Sequence, residues 1–175
     1  SGTNPCQPAF ATVLTPEGIR TFADIDVGAV IWSGKQWTRV VRKVATGIKP
    51  VQMYVTNNGH FIGTEDHRVV SKRVKIPVRD AASIDTAPYP ADLALPIGLP
   101  YDVSYSKCSE IKNPIRQVIP LGDHPVYDIT VEADEHTYWT GGLLVSNCGE
   151  IVLRSQGLCN LSIAVARSDD TFDTL

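Results

Sequence analysis

Cys6, Thr64, His67, Asp128, His136 and the Asn147-Cys148 pair are the residues of this chain whose types suit covalent work. A cysteine thiolate is a nucleophile, an imidazole exchanges protons near neutral pH, and a carboxylate accepts them. Taken singly, each has an ordinary structural reading. A lone cysteine is most often a small buried hydrophobe, and Thr64-Glu65-Asp66-His67 at a strand end reads as a turn with a solvated imidazole. It is their order along the chain, with a thiol near each end of the set and Asn147 directly before the second, that makes them a candidate constellation.

The elements that must hold these groups read as strands. Short apolar runs at 29–32, 51–55, 68–70, 126–131 and 143–145 are bounded by Gly, Pro, Asn and Asp. Turn chemistry recurs at Thr15-Pro16-Glu17-Gly18, Ser33-Gly34, Asn57-Asn58-Gly59 and Gly141-Gly142, as expected where consecutive strands reverse. An all-β chain with many hairpins is expected, with at most a turn or two of helix around Thr21 to Asp26 and another after Arg79-Asp80. Trp32, Trp37 and Trp139 read as core or rim aromatics, and His60 and His124, in turn-like contexts, as solvated surface residues.

Composition narrows the function classes. The chain has 175 residues, 43% of them hydrophobic, and a formal net charge of −3, which fits one soluble domain, with or without tails. No dense Lys/Arg run offers a grip on phosphates, so nucleic-acid binding is not expected. No run approaches the roughly 18 to 20 apolar residues of a membrane helix, and the first residues lack the pattern of a signal peptide, so a cytoplasmic, membrane-independent protein is expected. The four cysteines, Cys6, Cys108, Cys148 and Cys159, are irregularly spaced with no CxxC pair, which argues against a zinc ribbon or disulfide scaffold. Neither a metal nor a cofactor is implied. Five of the 12 prolines fall between 77 and 100, and the stretch 77–107 reads as an extended surface excursion. The apolar residues that follow Cys148 have no evident partner of their own.

Four segments, in order, resemble the splicing blocks of inteins, the self-splicing members of the Hint (hedgehog/intein) superfamily. Cys6 to Gly18, continued by Ala23 to Gly28, is similar to the first block, and Gly63-Thr64-Glu65-Asp66-His67-Arg68-Val69-Val70 to the second with its Thr-x-x-His. Val126 to Glu132 through His136-Thr137-Tyr138 resembles the penultimate block, and Gly142 to Cys148 the last. Joining Asn4-Pro5 to Cys148-Gly149-Glu150 gives Asn-Pro-Cys-Gly-Glu, which resembles the radical-cysteine loop of a ribonucleotide reductase, most like the cobalamin-dependent class.

The resemblance implies a Hint-type horseshoe of antiparallel strands with pseudo-two-fold symmetry and adjacent first and last strands. It implies three segments: 1–5 and 148–175 from the host, and 6–147 as a mini-intein without an endonuclease. It also implies the chemistry. Cys6 attacks the Pro5 carbonyl to form a thioester, with His67 as acid and orienter at the leaving nitrogen and Thr64 polarising the carbonyl. Cys148 then takes over the acyl group, with Asp128 accepting or tethering its proton, and Asn147 cyclises to a succinimide with His136 as base. A sulfur-to-nitrogen shift completes the new peptide bond. Ser146 stands where the family commonly has His, which leaves more of the proton transfer to His136, and the hindered prolyl carbonyl of Pro5 implies a slow first step. A monomer acting on its own flanking segments is expected. The competing readings are a Hint domain that only cleaves, a Cys6-His67-Asp128 hydrolase acting in trans, and a non-catalytic β-rich binding module.

Overall fold

The computed structural model describes residues 5–91, 93 and 111–147. Within them run strands Gln7–Pro8 (β1), Thr12–Thr15 (β2), Gly18–Thr21 (β3), Val30–Trp32 (β4), Trp37–Thr56 (β5), Gly59–Gly63 (β6), Arg68–Ser71 (β7), Val74–Pro77 (β8), Ile115–Val131 (β9), Thr137–Thr140 (β10) and Leu143–Ser146 (β11). Single 3-10 turns at Phe22–Asp24 and Val78–Asp80 match the two short helical segments expected, the second lying slightly earlier in the chain. All pairings between these strands are antiparallel. No helix among the described residues is long and apolar enough to cross a membrane.

Two strands are far longer than the sequence suggested. β5 and β9 pair from Val40↔Val131 to Thr56↔Ile115, and order β1-β9-β5-β4 forms one sheet, with β6 also on β5. Pro120, Gly122 and Pro125 break the apolar pattern of β9, yet the ladder continues through them, with a register shift between Gly122 and Pro120 and with Pro125 paired in register to Ile48. β5 itself is rich in β-branched residues, which suit a pleated surface. Its two ends are buried, whereas its middle, from Val41 to Pro50, is largely exposed. A second sheet has the order β10-β11-β7-β8, and β2-β3 forms a separate ribbon.

The two-residue turn between β7 and β8 has no Gly or Asn. Lys72 and Arg73 adopt φ of 50° and 67°, the type I′ geometry a tight hairpin wants. The Asp85 carboxylate accepts both of their N–H groups, at 2.7 and 2.8 Å, which offsets the cost of left-handed backbone in two side-chain-bearing residues.

The stretch after β8 is not a surface excursion through its first part. Val78, Ile84, Ala87 and Tyr89 are buried, and Thr86 bridges to Leu143. The prolines there punctuate an irregular segment whose apolar side chains still have a core to fill. The remainder of 77–107, together with Cys108, lies outside the described residues, as do Asn4, Cys148, Glu150, Cys159 and the whole of 148–175.

The main core joins Val13, Phe22, Ile31, Val40, Phe61, Ile129, Tyr138 and Leu143 with their neighbours. Trp139 is fully buried in a second cluster with Leu14 and Tyr89, and Trp32 and Trp37, edge to face with each other at 5.0 Å, pack against that cluster, so the three tryptophans are core and rim aromatics as expected. His60 is a correction: it is 4% exposed, its N–H bonded to the Gly141 carbonyl at 2.9 Å. The turn-like Asn58-Gly59-His60 context read as surface, but the β10–β11 turn closes over it. His124 is half-buried, edge-on to Phe10 at 5.0 Å.

Candidate active site

Cys6 precedes β1, and continuing the Gln7↔Tyr127 register by one residue sets it opposite Asp128 on β9. Its side chain is fully buried in a small apolar cluster with Val51, Met53, Ile62 and Val126. Burial pushes the thiol up from its ordinary range, and Asp128 and Asp66 push the same way. A hydrogen bond with Thr46 and the charge of Lys49 oppose them.

Thr64, in the connection from β6 to β7, holds the main chain of Cys6. Its Oγ1 accepts the Cys6 N–H at 3.0 Å, and its own N–H donates to the Cys6 carbonyl at 3.0 Å. Oγ1 lies 2.7 Å from Asp66 Oδ1 and 3.3 Å from the Cys6 oxygen, so the carboxylate takes the stronger share of the hydroxyl proton. The contacts of Thr64 are thus with the nitrogen of the Pro5–Cys6 bond and with the carbonyl on the far side of Cys6. The Thr64 hydroxyl grips the nitrogen that follows the Pro5 carbonyl.

His67 sits one turn further, its N–H on the Thr64 carbonyl at 3.1 Å. The ring is buried, 5.0 Å from Phe61, and desolvation lowers its pKa to about 4. A neutral imidazole therefore dominates at neutral pH. Nδ1 lies 3.0 Å from the Arg68 carbonyl, which can only accept, so Nδ1 carries the proton and Nε2 presents a lone pair. Nε2 faces Tyr138 Oη at 3.4 Å. Tyr138 in turn donates to Gln7 Oε1, and Gln7 Nε2 donates to the Ile62 carbonyl at 2.9 Å and to Thr140 at 3.2 Å. Gln7 is wholly buried, and this network ties β1 to β6 and β10. The sequence reading missed Gln7, Tyr138, Asp66 and Thr46. Gln7, a polar residue in an otherwise apolar opening, was the one visible hint.

Asp128 is buried and ion-paired with the half-exposed Arg42, Oδ2 to Nη1 at 3.4 Å. Because His67 turns Nδ1 to a backbone carbonyl, the His–carboxylate bond of a hydrolytic triad is replaced by a peptide contact.

Asn147 ends β11. Its N–H donates to the His136 carbonyl at 2.9 Å, extending the ladder that pairs Thr137 with Ser146. The Asn147 side-chain amide is buried, and neither its oxygen nor its nitrogen has a hydrogen-bond partner among the described residues. Ser146 Oγ donates to the Asn147 carbonyl oxygen at 3.2 Å. His136 holds a left-handed φ of 54° and is exposed, so its described tie to Asn147 runs through its backbone. Among the described residues, no group of three or more His, Cys, Asp or Glu side chains could hold a metal ion.

The structure superposes on solved inteins over nearly their whole lengths. The Ssp DnaB mini-intein variant M86 matches with a TM-score of 0.65 at 16% identity, covering 85% of this chain and 96% of that one. The chain has the intein fold. The DnaX mini intein from Spirulina platensis gives a TM-score of 0.62 at 19% identity over 81% of this chain and 99% of its own. The gp41-1 intein gives 0.61 at 16% identity, over 83% and 100% respectively. No protein-family model matches the sequence, and no curated protein matches it. The intein fold thus persists here at an identity that sequence comparison does not bridge. The all-β, Hint-type architecture expected from the sequence is the one observed.

Proposed function

We propose that residues 6–147 are a protein-splicing domain that excises itself and joins Pro5 to Cys148, within a ribonucleotide reductase host. The observation that carries this reading is the 3.0 Å hydrogen bond from the Cys6 N–H to Thr64 Oγ1, a side-chain grip on the nitrogen that must leave.

In the first step the Cys6 sulfur adds to the Pro5 carbonyl. The C–S bond forms, the Pro5–Cys6 C–N bond breaks, and the thiol proton ends on the departing nitrogen, so the step is an isomerisation. An amide resists this through its resonance, and intramolecular placement supplies on the order of 7 to 11 kcal/mol against the barrier. Thr64 Oγ1 accepts from that nitrogen's N–H and donates to Asp66, which orients the nitrogen while the thiol proton passes to it. His67 as general acid would need an imidazolium that burial opposes. Its neutral ring instead steadies the 64–67 turn, donating from Nδ1 to the Arg68 carbonyl and packing on Phe61.

The Cys148 sulfur then takes the acyl group from the Cys6 sulfur, restoring the Cys6 thiol, with Asp128, opposite Cys6 on β9, as the carboxylate that takes the Cys148 proton. In the third step Asn147 Nδ2 attacks its own backbone carbonyl. The C–N bond to Cys148 breaks, the succinimide closes, and the Cys148 nitrogen leaves as an amine. Two features support it: the Asn147 amide is buried with no hydrogen-bond partner among the described residues, and Ser146 donates to the oxygen that gains charge. A final sulfur-to-nitrogen shift restores the peptide bond.

Intact-mass spectrometry of the purified chain over time at neutral pH tests the whole reading. Splicing yields a ligated 1–5 plus 148–175 peptide and an excised 6–147 product lighter by one water. A single unchanged mass with and without reductant, combined with no release of 1–5 by hydroxylamine, would sink it.

A further inference from the structure

The β5–β9 ladder steps from Ala45↔Tyr127 to Gly47↔Val126, so Thr46 is an extra residue that β9 leaves unmatched. Such a β-bulge bends the strand and re-aims one side chain. Here the side chain meets the nucleophile: Thr46 Oγ1 lies 2.9 Å from Cys6 Sγ, across 40 residues of sequence. Gly47 fixes the bulge with φ of +113°, a backbone state that side-chain-bearing residues rarely adopt.

We propose that Thr46 is a positioning residue for the Cys6 thiol, aimed by the bulge so that its hydroxyl accepts the S–H in the resting state and donates to sulfur once the proton leaves. A hydroxyl is suited to this because it both donates and accepts, and β-branching limits its rotamers on a strand. The need for it follows from the surroundings. Sγ is packed among Val51, Met53, Ile62 and Val126, which disfavour a thiolate. The charged groups acting on it are Lys49 on β5, which favours the thiolate, and Asp128 on β9 and Asp66 in the β6–β7 connection, which oppose it. Thr46 supplies a neutral donor that leaves that balance of charge unchanged.

The proposal rests on reading Cys6 as the splicing nucleophile, so its test separates the two. In a chain carrying Asn147→Ala and Cys148→Ala, only the first step remains, and hydroxylamine release of 1–5 is followed by mass from pH 6 to 9. A hydrogen bond to a charged sulfur supports a shift of about one pH unit. Thr46→Val should therefore slow release at pH 7 about tenfold and move the profile up by that unit, while Thr46→Ser should stay within about threefold. Gly47→Ala should act in the direction of Thr46→Val, because a Cβ there meets nothing within 4 Å and opposes only the bulge backbone. A second readout needs no splicing: the thiolate absorbance near 240 nm in a Cys108→Ser, Cys148→Ser, Cys159→Ser, Asn147→Ala chain, where Cys6 is the one thiol, taken as the difference from the same chain with Cys6→Ala. Its midpoint should rise in Thr46→Val and return in Thr46→Ser. If the parent releases 1–5 and all three variants superpose on it, the role of Thr46 is overturned and splicing stands. If the parent releases nothing while the absorbance midpoint still shifts, the splicing reading fails and the thiol contact holds. Should Thr46→Val not fold, unchanged profiles in Gly47→Ala would overturn the role equally.

Discussion

Acidification to pH 5 should destabilise this fold by about 4 kcal/mol through two buried histidines. Burial lowers the pKa of both His60 and His67 to about 4, from 6.5 in an unfolded chain. Between those values the unfolded chain binds more protons than the folded one, so stability is fully present above pH 6.5 and falls as pH drops towards 4. At pH 5 each ring gives up about 2 kcal/mol, and once pH falls below the folded value the loss approaches about 3 kcal/mol per ring. Against a typical total of about 5 to 15 kcal/mol, the two together are a large fraction. The assay is urea denaturation at pH 7.5 and 5.0 on a Cys6→Ala, Asn147→Ala chain, which stays intact. The unfolding free energy should drop by about 4 kcal/mol, and His60→Gln and His67→Gln should each remove about half of the drop. NMR titration of the imidazole protons provides a check that does not depend on those variants folding. Either ring titrating near 6.5 in the folded chain, or a midpoint that does not move with pH, would refute the burial argument. The same experiment bears on mechanism, since a His67 that titrates near neutrality would restore it as a general acid.

Ser146→Ala removes the hydroxyl on the Asn147 carbonyl oxygen. Release of 148–175 in a Cys6→Ala background should slow about tenfold, less than the roughly hundredfold or more for a well-placed oxyanion donor because the contact is long; a rate equal to the parent's would leave Ser146 without a role. Pro5→Gly relieves the hindered prolyl carbonyl and should speed the first step in a timed gel assay, with less precursor accumulating. No acceleration would show that the carbonyl is not limiting. Gly141→Ala would place a Cβ 2.0 Å from the His60 carbonyl oxygen, so we expect a loss of at least about 2 to 3 kcal/mol by thermal denaturation, within the range for strain and overpacking. A melting temperature within a degree of the parent's would contradict that packing.

Much of this protein is written in its sequence because the deciding signals are local. The turns at 15–18, 33–34, 57–59 and 141–142 all fall between strands, since Gly, Asn and Pro set φ from within one or two residues. Strands β4, β7 and β11 lie where short β-branched or apolar runs put them. The Cys6, Thr-x-x-His and Asn147 motifs were legible for a similar reason, as each is a short block. Local signals failed where the partner is distant. The length of β5 and β9 depends on each strand supplying the other's ladder bonds through prolines and glycines that look like breaks. The Lys72-Arg73 turn depends on Asp85, thirteen residues on, and the burial of His60 on the β10–β11 turn.

The site divides along the same line. Residue types and order nominated the candidate groups, since only certain side chains can form a thioester or a succinimide. Their working states are properties of surroundings contributed by several strands. The neutral His67, the desolvated Cys6 and the unpartnered Asn147 amide arise from burial, which no spacing reports. Thr46, Gln7 and Tyr138 entered the site only when bulge, register and sheet packing brought side chains 40 to 131 residues apart into contact, because hydrogen bonds depend on distance in space and the chain's order constrains that only through the fold.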